Sequence, residues 1–470
     1  MQILLQFLLD TSQYILYEFI TRFHVYLQLF LVLIVLWVVF KKSDKKVIRL
    51  SKEDEEKIIR EWKPEPLVGA LLHHSTSPPR IVERKIDKYI YVDGVKCLNL
   101  ASYNFLGLLT NDASEAEALR AVRKYGIGSC GPRGFYGTVD VHLQLEEDLA
   151  NFFHLQEAIV YSYGFSAIST AIPAYAKRSD IIFADEYVNF AIQKGIDASR
   201  SEIKYFRHND VEHLHKLLME QAELDLKNKK KAKKTRKFLI IEGIYSKTGD
   251  MCPFPELMVL KKKYKLRLFI DESLTFGVLG KSGRGITQHF GVSPRDVDLI
   301  IASMEYSLAT VGGFCVGSDF IVEHQRLSGL GYCFSASLPP LLTVTAITNL
   351  KSIHTNPTII QELNNTCKHV HTSLKNNNVI MDNFNISGHE LSPVKHLVPK
   401  FESSDRFMEH FVNYCQENGL TVCKATYLPE DRPPCLPSIR LAICRSLTSS
   451  DVKQAVDTFE SALNSYFLSE

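Results

Sequence analysis

The sequence lacks an excess of either charge. Its 470 residues carry 55 lysines and arginines against 53 aspartates and glutamates, which leaves a net charge of +2. Such a balance excludes a bulk electrostatic field that would favour nucleic acid or an acidic substrate. The remaining composition, 45% hydrophobic and 23% charged, is typical of a folded protein, and the length permits a large core and more than one domain.

Paired cysteines are also missing. None of the ten cysteines has a C-x-x-C partner, and His142 and His154 do not complete a metal-ligand spacing with them. The chain is therefore neither a small disulfide-stapled domain nor a recognisable zinc protein. We predict reduced cysteines that are mostly core residues, and no metal site.

Charge is absent from one long stretch near the N-terminus. Residues 25–40, VYLQLFLVLIVLWVVF, contain a single polar residue, and residues 23 and 24 extend them toward the ~20 residues that a membrane span needs. A lysine-rich segment, KKSDKK, follows at once. Positive charge favours the cytosolic side, so the long C-terminal part is predicted to be cytosolic. We predict a membrane anchor in residues 1–50, with one span over about residues 23–40.

The same stretch has two other interpretations, a signal peptide and a buried core helix. A signal peptide requires a basic start and a small-residue cleavage site, and the sequence has neither. A buried core helix is the second alternative. Residues 3–20 are apolar enough to lie in the membrane interface as an amphipathic helix, or they precede the span; the sequence leaves this open.

The rest of the chain alternates between strand-like and helix-like segments. Residues 51–85 are predicted to form a linker with a short helix, because they are highly charged and then rich in proline. Apolar runs such as DIIFAD, KFLIIEG and LRLFIDES are separated by helix-length segments, which predicts a doubly wound, mostly parallel α/β sheet over residues 86–347. Residues 348–470 are predicted to form a smaller α+β domain.

A glycine-rich stretch, KYGIGSCGPRGFYGT, precedes a helical pattern, and further motifs follow it: YSYGFSA, EGIYSKTGDMCPFPEL, IDESLTFGVLGKSGRG, DLIIASMEYSLATVGGF and YCFSASLPP. In their content and order these motifs resemble those of the α-oxoamine synthases, acyl-CoA transferases with the fold-type-I pyridoxal phosphate architecture. The resemblance spans about residues 85–450. It implies an α/β fold of that type and a reaction that condenses an amino acid with an acyl-CoA.

The resemblance also implies the parts of a cofactor site. In the family, a lysine binds the cofactor aldehyde, an aspartate pairs with the pyridine nitrogen, and histidines contact the ring. Asp271 matches the aspartate, but Tyr306 stands in the position of the lysine, and Asn189 and Leu274 stand in the positions of two histidines. A phenol cannot form an imine with an aldehyde. We therefore predict no catalytic residue and no covalently bound cofactor in this chain, and a vestigial, hydrogen-bonding role for Asp271.

No nearby lysine replaces the missing one, because none occurs between Lys281 and Lys351. His208, in the RHND motif, is interpreted as structural. Arg432 lies in RPPCLP, which resembles a stretch that binds a substrate carboxylate in relatives; a proline-rich loop is the preferred interpretation.

Enzymes of this family are dimers with active sites at the subunit interface, so a chain without a working pocket can still complete that of its partner. The resemblance implies a membrane-anchored, non-catalytic subunit at the endoplasmic reticulum. Its partners would be a lysine-bearing catalytic subunit that holds pyridoxal phosphate, together with small activating subunits and feedback regulators. The residues predicted to contribute to the partner's site are Cys130, Gly131, Arg133, Ser335 and Ser337.

Two alternatives remain at this stage. One is an active homodimeric α-oxoamine synthase that uses the cofactor non-covalently. The other is a membrane scaffold or regulator that lends no residue to catalysis.

Overall fold

In the computed structural model, the described residues are 2–40, 51–67, 79–401, 405–428 and 431–469. The chain divides into two compact units, Met1–Pro78 and Pro79–Glu470.

The first unit contains two helices, α1 (Gln2–Phe40) and α2 (Lys52–Glu61). Within α1, the segment Tyr17–Phe40 contains an 18-residue stretch with a mean hydropathy of 2.4, so this helix is long and apolar enough to cross a membrane. Residues 3–20 continue into this segment as one helix. The lysines after the span, on which the predicted orientation depends, lie outside the described residues.

The described residues of the second unit form fifteen strands and fifteen α-helices. In chain order these are β1 (Val82–Ile86), β2 (Tyr89–Val92), β3 (Val95–Asn99), α3 (Asp112–Tyr125), α4 (Asp140–Phe153), β4 (Glu157–Tyr161), α5 (Gly164–Tyr175), β5 (Ile181–Asp185), α6 (Phe190–Ser199), β6 (Glu202–Phe206), α7 (Val211–Lys227), α8 (Lys229–Ala232), β7 (Lys237–Glu242), α9 (Phe254–Tyr264), β8 (Arg267–Asp271), α10 (Ile286–His289), β9 (Leu299–Ser303), β10 (Gly313–Gly317), α11 (Asp319–Ser328), α12 (Leu330–Cys333), α13 (Pro340–Thr355), α14 (Thr358–Lys375), α15 (Asn378–Asn383), β11 (Phe384–Ser387), β12 (Val394–Pro399), α16 (Asp405–Glu417), β13 (Leu420–Thr421), β14 (Cys423–Lys424), β15 (Ile439–Ala442) and α17 (Ser449–Ser469).

The central sheet has seven strands in the order β4-β10-β9-β8-β7-β5-β6. The pairs from β9 to β6 are parallel, and β10 runs antiparallel to both of its neighbours. Strands β5, β8 and β9 are buried along nearly their whole length, as expected for a parallel sheet that is covered by helices on both faces. The predicted doubly wound, mostly parallel α/β sheet is confirmed.

Two smaller sheets accompany it. Strands β11, β12, β15 and β14 form an antiparallel sheet within the C-terminal region, consistent with the predicted α+β character of residues 348–470. The other sheet has the order β1-β2-β3-β13, in which Leu98 pairs with Leu420 in a parallel register. Residues 86–99, which the sequence analysis placed in the large domain, therefore pair with the C-terminal region. Short amphipathic strands carry no sequence signal for a partner more than 300 residues away.

All ten cysteines are free thiols, and six of them are buried. Cys130 is the exposed exception. Among the described residues, no group of three or more His, Cys, Asp or Glu side chains is placed to hold a metal ion.

Candidate functional site

A cavity of 330 Å³ opens at the carboxyl ends of strands β7, β8 and β9. Ligands of open α/β sheets bind at this edge, because the loops that leave neighbouring parallel strands meet there. The starts of α5 and α6 form another part of the wall, and the C-terminal region contributes residues 425–427, Asp431 and Arg440. Three positions singled out from the sequence, Asn189, Asp271 and Tyr306, all line this one cavity, and so does Leu274.

Asp271 is the last residue of β8 and is 3% exposed. Its Oδ1 accepts a hydrogen bond from the backbone N–H of Ser273 at 2.9 Å, and its Oδ2 accepts one from the side-chain amide of Asn189 at 2.8 Å. Both oxygens therefore have a donor from the chain itself. Burial raises the pKa of Asp271 against these hydrogen bonds.

Asn189 is held at three points. Its Oδ1 accepts from the backbone N–H of Ile192 at 3.0 Å and so caps the N-terminus of α6. Its backbone N–H donates to Oε1 of Glu242 at 2.7 Å, while its side-chain Nδ2 donates to Asp271. A rotation of the side chain would break two of these bonds, so the amide is fixed on Asp271.

Glu242 lies beside this pair at the end of β7 and is 2% exposed. Its second oxygen accepts from the backbone N–H of Ser246 at 3.1 Å. Burial and then the negative charge of Asp271 raise the pKa of Glu242 to about 8. The sequence indicated only that an acid ends this strand; the strand order brings it next to Asp271.

Tyr306 follows β9 in the turn before Gly312 and Gly313, and its ring lines the cavity. The ring packs edge-on against Tyr103 with a centroid distance of 4.7 Å. Burial and neighbouring phenols and carboxylates raise the pKa of Tyr306, so its hydroxyl is neutral at physiological pH. A Cβ on Gly313 would lie 2.7 Å from the Cα of Gly164, so the second glycine permits close packing of β10 against α5.

One lysine of the described residues also lines the cavity, and it was missed in the sequence. Lys247, in the loop after β7, is 7% exposed and its Nζ lies 2.5 Å from Oδ1 of Asp431. The pair joins the large sheet to the C-terminal region. Lys247 is remote from Tyr306 in the sequence, and it reaches the same cavity from the end of a different strand, β7.

His208 lies outside the cavity. Its Nδ1 is 2.9 Å from Oδ1 of Asp185, and its Nε2 is 3.6 Å from Oδ2 of Asp250. Burial by itself would lower the pKa of His208, but the two carboxylates raise it to about 9. This ion-paired environment supports the structural interpretation of His208. Arg432 is exposed, and its backbone exchanges hydrogen bonds with Gln193.

The glycine-rich loop (residues 126–138) folds back on itself. A Cβ on Gly131 would lie 2.8 Å from the carbonyl oxygen of Phe135, and one on Gly137 would overlap the carbonyl of Gly131. Neither position accepts a side chain without a shift of the backbone. Cys130, the preceding residue, has φ +57° and an exposed side chain. The side chain of Cys130 therefore does not pack among the glycines of the loop.

Arg133 points into its own chain. Its guanidinium donates to both carboxylate oxygens of Glu146 at 2.8 and 3.0 Å, and the two side chains are 3% and 6% exposed. Glu146 also accepts from the backbone N–H of Val160 and from Arg326. Arg133, one of the residues predicted to serve a partner, is thus engaged within its own chain by Glu146 on α4.

The loop is fastened to the SASLPP segment (residues 335–340). Ser337 is buried, its hydroxyl donates to the carbonyls of Gly131 and Gly137, and its backbone N–H donates to Gly131 at 2.9 Å. His142 lies 2.6 Å from the carbonyl oxygen of Leu338 through its Nε2. Ser335 is half-buried, and its hydroxyl has no hydrogen-bond partner among the described residues. The two segments form one block, in which the hydroxyl of Ser337 is hydrogen-bonded and the hydroxyl of Ser335 has no hydrogen-bond partner among the described residues.

Exposed apolar side chains lie on this block and on the residues just before the SASLPP segment. Phe135 and Tyr136 of the loop, and Leu330 and Phe334 before the segment, are each at least 59% exposed. Tyr136 has φ +63°, a conformation that bulky residues rarely adopt. Exposed apolar groups on a strained backbone are typical of a surface that binds another protein.

Comparison with known families identifies the fold and the group. The family model described as aminotransferase class I and II matches residues 95–459. Serine palmitoyltransferase 1 of Dictyostelium discoideum is 38% identical over 418 residues, which cover 87% of this chain and 86% of the relative. Serine palmitoyltransferase 1 of Saccharomyces cerevisiae is 31% identical over 91% of this chain and 86% of its own length.

Solved structures agree with this assignment. A structure of SPT with PLP internal aldimine is 26% identical and has a TM-score of 0.74, over 82% of this chain and 92% of that chain. The serine palmitoyltransferase of Sphingomonas wittichii is 26% identical with the same TM-score, over 88% of this chain and 96% of that chain.

Proposed function

Because the chain belongs to the class I and II aminotransferase family, and within it to the serine palmitoyltransferase 1 group, we propose that it is the non-catalytic, membrane-anchoring subunit of serine palmitoyltransferase. In this proposal it forms a heterodimer with a lysine-bearing catalytic subunit, long-chain-base subunit 2. The pair condenses L-serine with palmitoyl-CoA to 3-ketosphinganine, CoA and carbon dioxide, the first step of sphingolipid synthesis.

The observation that carries the proposal is Tyr306 at the position of the family's cofactor-binding lysine. Its neutral phenol lines the cavity but has no nitrogen with which to form an imine. Asn189 stands in place of the ring-contacting histidine, and its side-chain amide already donates a hydrogen bond to Asp271. These residues do not fit a covalently held pyridoxal phosphate, so the cofactor is assigned to the partner subunit.

Lys247 does not supply a replacement. Its ammonium group forms a buried ion pair with Asp431, and release of the amine would leave that carboxylate uncompensated. Breaking a buried pair costs about 3–5 kcal/mol. The contacts of Lys247, the one lysine among the described residues that line the cavity, therefore support the prediction that no lysine replaces the missing one.

The contribution to the partner's site is assigned to the block formed by the glycine-rich loop and the SASLPP segment. Ser335 is the better candidate of the two serines, because the hydroxyl of Ser337 already binds two carbonyl oxygens. Cys130 and the main chain of Gly131 lie on the same block. Arg133 acts indirectly, by holding the loop against Glu146.

Helix α1 anchors the complex in the endoplasmic reticulum membrane, and the enzyme domain lies in the cytosol, beside an acyl-CoA substrate and a lipid product. Small activating subunits and feedback regulators are further partners in this proposal. The length and hydropathy of Tyr17–Phe40 support the anchor.

The test is purification of the full chain from membranes, identification of any bound chain, and an assay for condensation of serine with palmitoyl-CoA. We expect a lysine-bearing partner and activity only in the complex. Cofactor and ketone product in the chain alone would favour an active homodimer. In the complex, Ser335→Ala with normal partner binding and undiminished turnover would favour a scaffold that lends no residue.

A further inference from the structure

Asp271 is the only one of the expected cofactor contacts that this chain retains, and it already has a bound amide. The side-chain Nδ2 of Asn189 donates to its Oδ2 at 2.8 Å, and the backbone of Ser273 donates to its Oδ1. A pyridine ring that used this carboxylate would have to displace the amide. The loss of the lysine is therefore not the only obstacle to the cofactor.

The amide cannot move aside without cost. The same side chain caps α6 through its oxygen, and its backbone N–H binds Glu242 at 2.7 Å. These contacts hold Asn189 in the orientation that points its Nδ2 at Asp271. The chain itself thereby satisfies the hydrogen-bonding capacity of a buried carboxylate.

We propose that Asn189 is a positioning residue. Its hydrogen bond to Asp271 prevents that carboxylate from pairing with a pyridine nitrogen, so the pocket does not bind pyridoxal phosphate even when a lysine is restored at position 306. This inference rests on the proposed function, because it takes the lysine-free pocket as one that the complex does not use for chemistry. The inference differs from the proposed function because it attributes the exclusion of pyridoxal phosphate to a second contact, between Asn189 and Asp271, that is separate from the missing lysine.

The experiment uses the full chain in complex with its lysine-bearing partner. The complex is incubated with pyridoxal phosphate and reduced with borohydride, and the labelled lysine peptides of both chains are quantified by mass spectrometry. The partner's own labelled peptide is the internal standard. Absence of a complex counts against the proposed function, whereas the pattern of labels at position 306 tests the present inference.

Three variants of this chain are compared. Tyr306→Lys alone should leave position 306 almost unlabelled. Tyr306→Lys with Asn189→Ser keeps a capping oxygen for α6 but removes the amide donor, and labelling should rise about tenfold or more, the effect of one hydrogen bond to a buried charge. Tyr306→Lys with Leu274→His is the matched control, since it restores another family residue in the same cavity without releasing Asp271. It should label like Tyr306→Lys alone.

Strong labelling of Tyr306→Lys alone would overturn the inference, and so would an equal rise in both double variants. No rise with Asn189→Ser in an intact complex would also overturn it. If that variant does not assemble, Asn189→Thr, which also keeps a capping hydroxyl, is used in its place and read by the same criteria.

Discussion

The ion pair between Arg133 and Glu146 gives the sharpest test of how the glycine-rich loop is held. The change is Arg133→Met, which keeps the length of the side chain and removes its charge. Glu146 then remains buried with one backbone N–H, from Val160 at 3.0 Å, and with Arg326 at 3.4 Å.

The expected loss is about 3 kcal/mol. Removal of one partner from a buried ion pair costs about 3–5 kcal/mol, and the lower end applies because Arg326 still compensates part of the charge of Glu146. A loss of this size lowers the folded-to-unfolded ratio more than about a hundredfold. The matched control is Arg120→Met, because Arg120 pairs with Glu117 on the surface, where solvent screening leaves an ion pair with little effect on stability.

The measurement is urea unfolding of the full chain in detergent, followed by the turnover of the complex with its partner subunit. We expect Arg133→Met to lower the free energy of unfolding strongly and Arg120→Met to leave it nearly unchanged. If Arg133→Met leaves the stability intact and only lowers turnover, Arg133 acts across the interface, as the sequence alone had suggested, and the reasoning from burial is refuted.

Cys130→Trp should change the free energy of unfolding of this chain by no more than about 0.5 kcal/mol, because the side chain is exposed. Turnover of the complex should fall about tenfold (1.4 kcal/mol) because of a clash at the interface. Normal turnover would exclude Cys130 from the interface. Ser337→Ala should lower the free energy of unfolding by about 1–3 kcal/mol through its lost contacts with two carbonyls, whereas Ser335→Ala should lower turnover without a loss of stability; urea unfolding and turnover distinguish them. His208 has a folded pKa raised to about 9, so its ion pairs should contribute about 3 kcal/mol that is fully present below about pH 6.5 and is lost as the pH rises through 9. The free energy of unfolding of His208→Gln, compared with the unchanged chain across this range, should show a gap that closes toward alkaline pH; a constant gap contradicts the assignment.

The large sheet could be predicted from sequence because its strands are buried on both faces. Runs such as DIIFAD and LRLFIDES have no alternation and end in an acid, and the parallel order places those ends together. The family motifs identify Asp271 as the acid of the site and indicate which residues should lie near it. Asp271, Asn189, Leu274 and Tyr306 do line one cavity.

Contacts between distant segments could not be predicted. Nothing in KCLNL indicates that Leu98 pairs with Leu420, and nothing in SKTGD indicates that Lys247 pairs with Asp431. Both depend on the path of the chain through three dimensions. The same limit explains Arg133, since its partner Glu146 lies on a helix whose sequence equally suits an exposed acid.

Two buried carboxylates of the cavity are stabilised by donors of the chain itself. Glu242 and Asp271 are buried carboxylates without a cationic partner among the described residues, yet backbone and amide donors satisfy them. Burial raises the pKa of both groups, which favours the protonated form and reduces the cost of charge in the interior.

The central claim is that the working lysine lies on another chain. Its most direct test is the condensation of labelled serine with palmitoyl-CoA by the purified full chain, alone and in complex with its partner subunit. We expect no product from the chain alone, product from the complex, no change on Tyr306→Phe in this chain, and loss of product when the partner's lysine is replaced by alanine. Product from the chain alone, or loss of product on Tyr306→Phe while the partner stays bound, would show that this chain performs the chemistry itself.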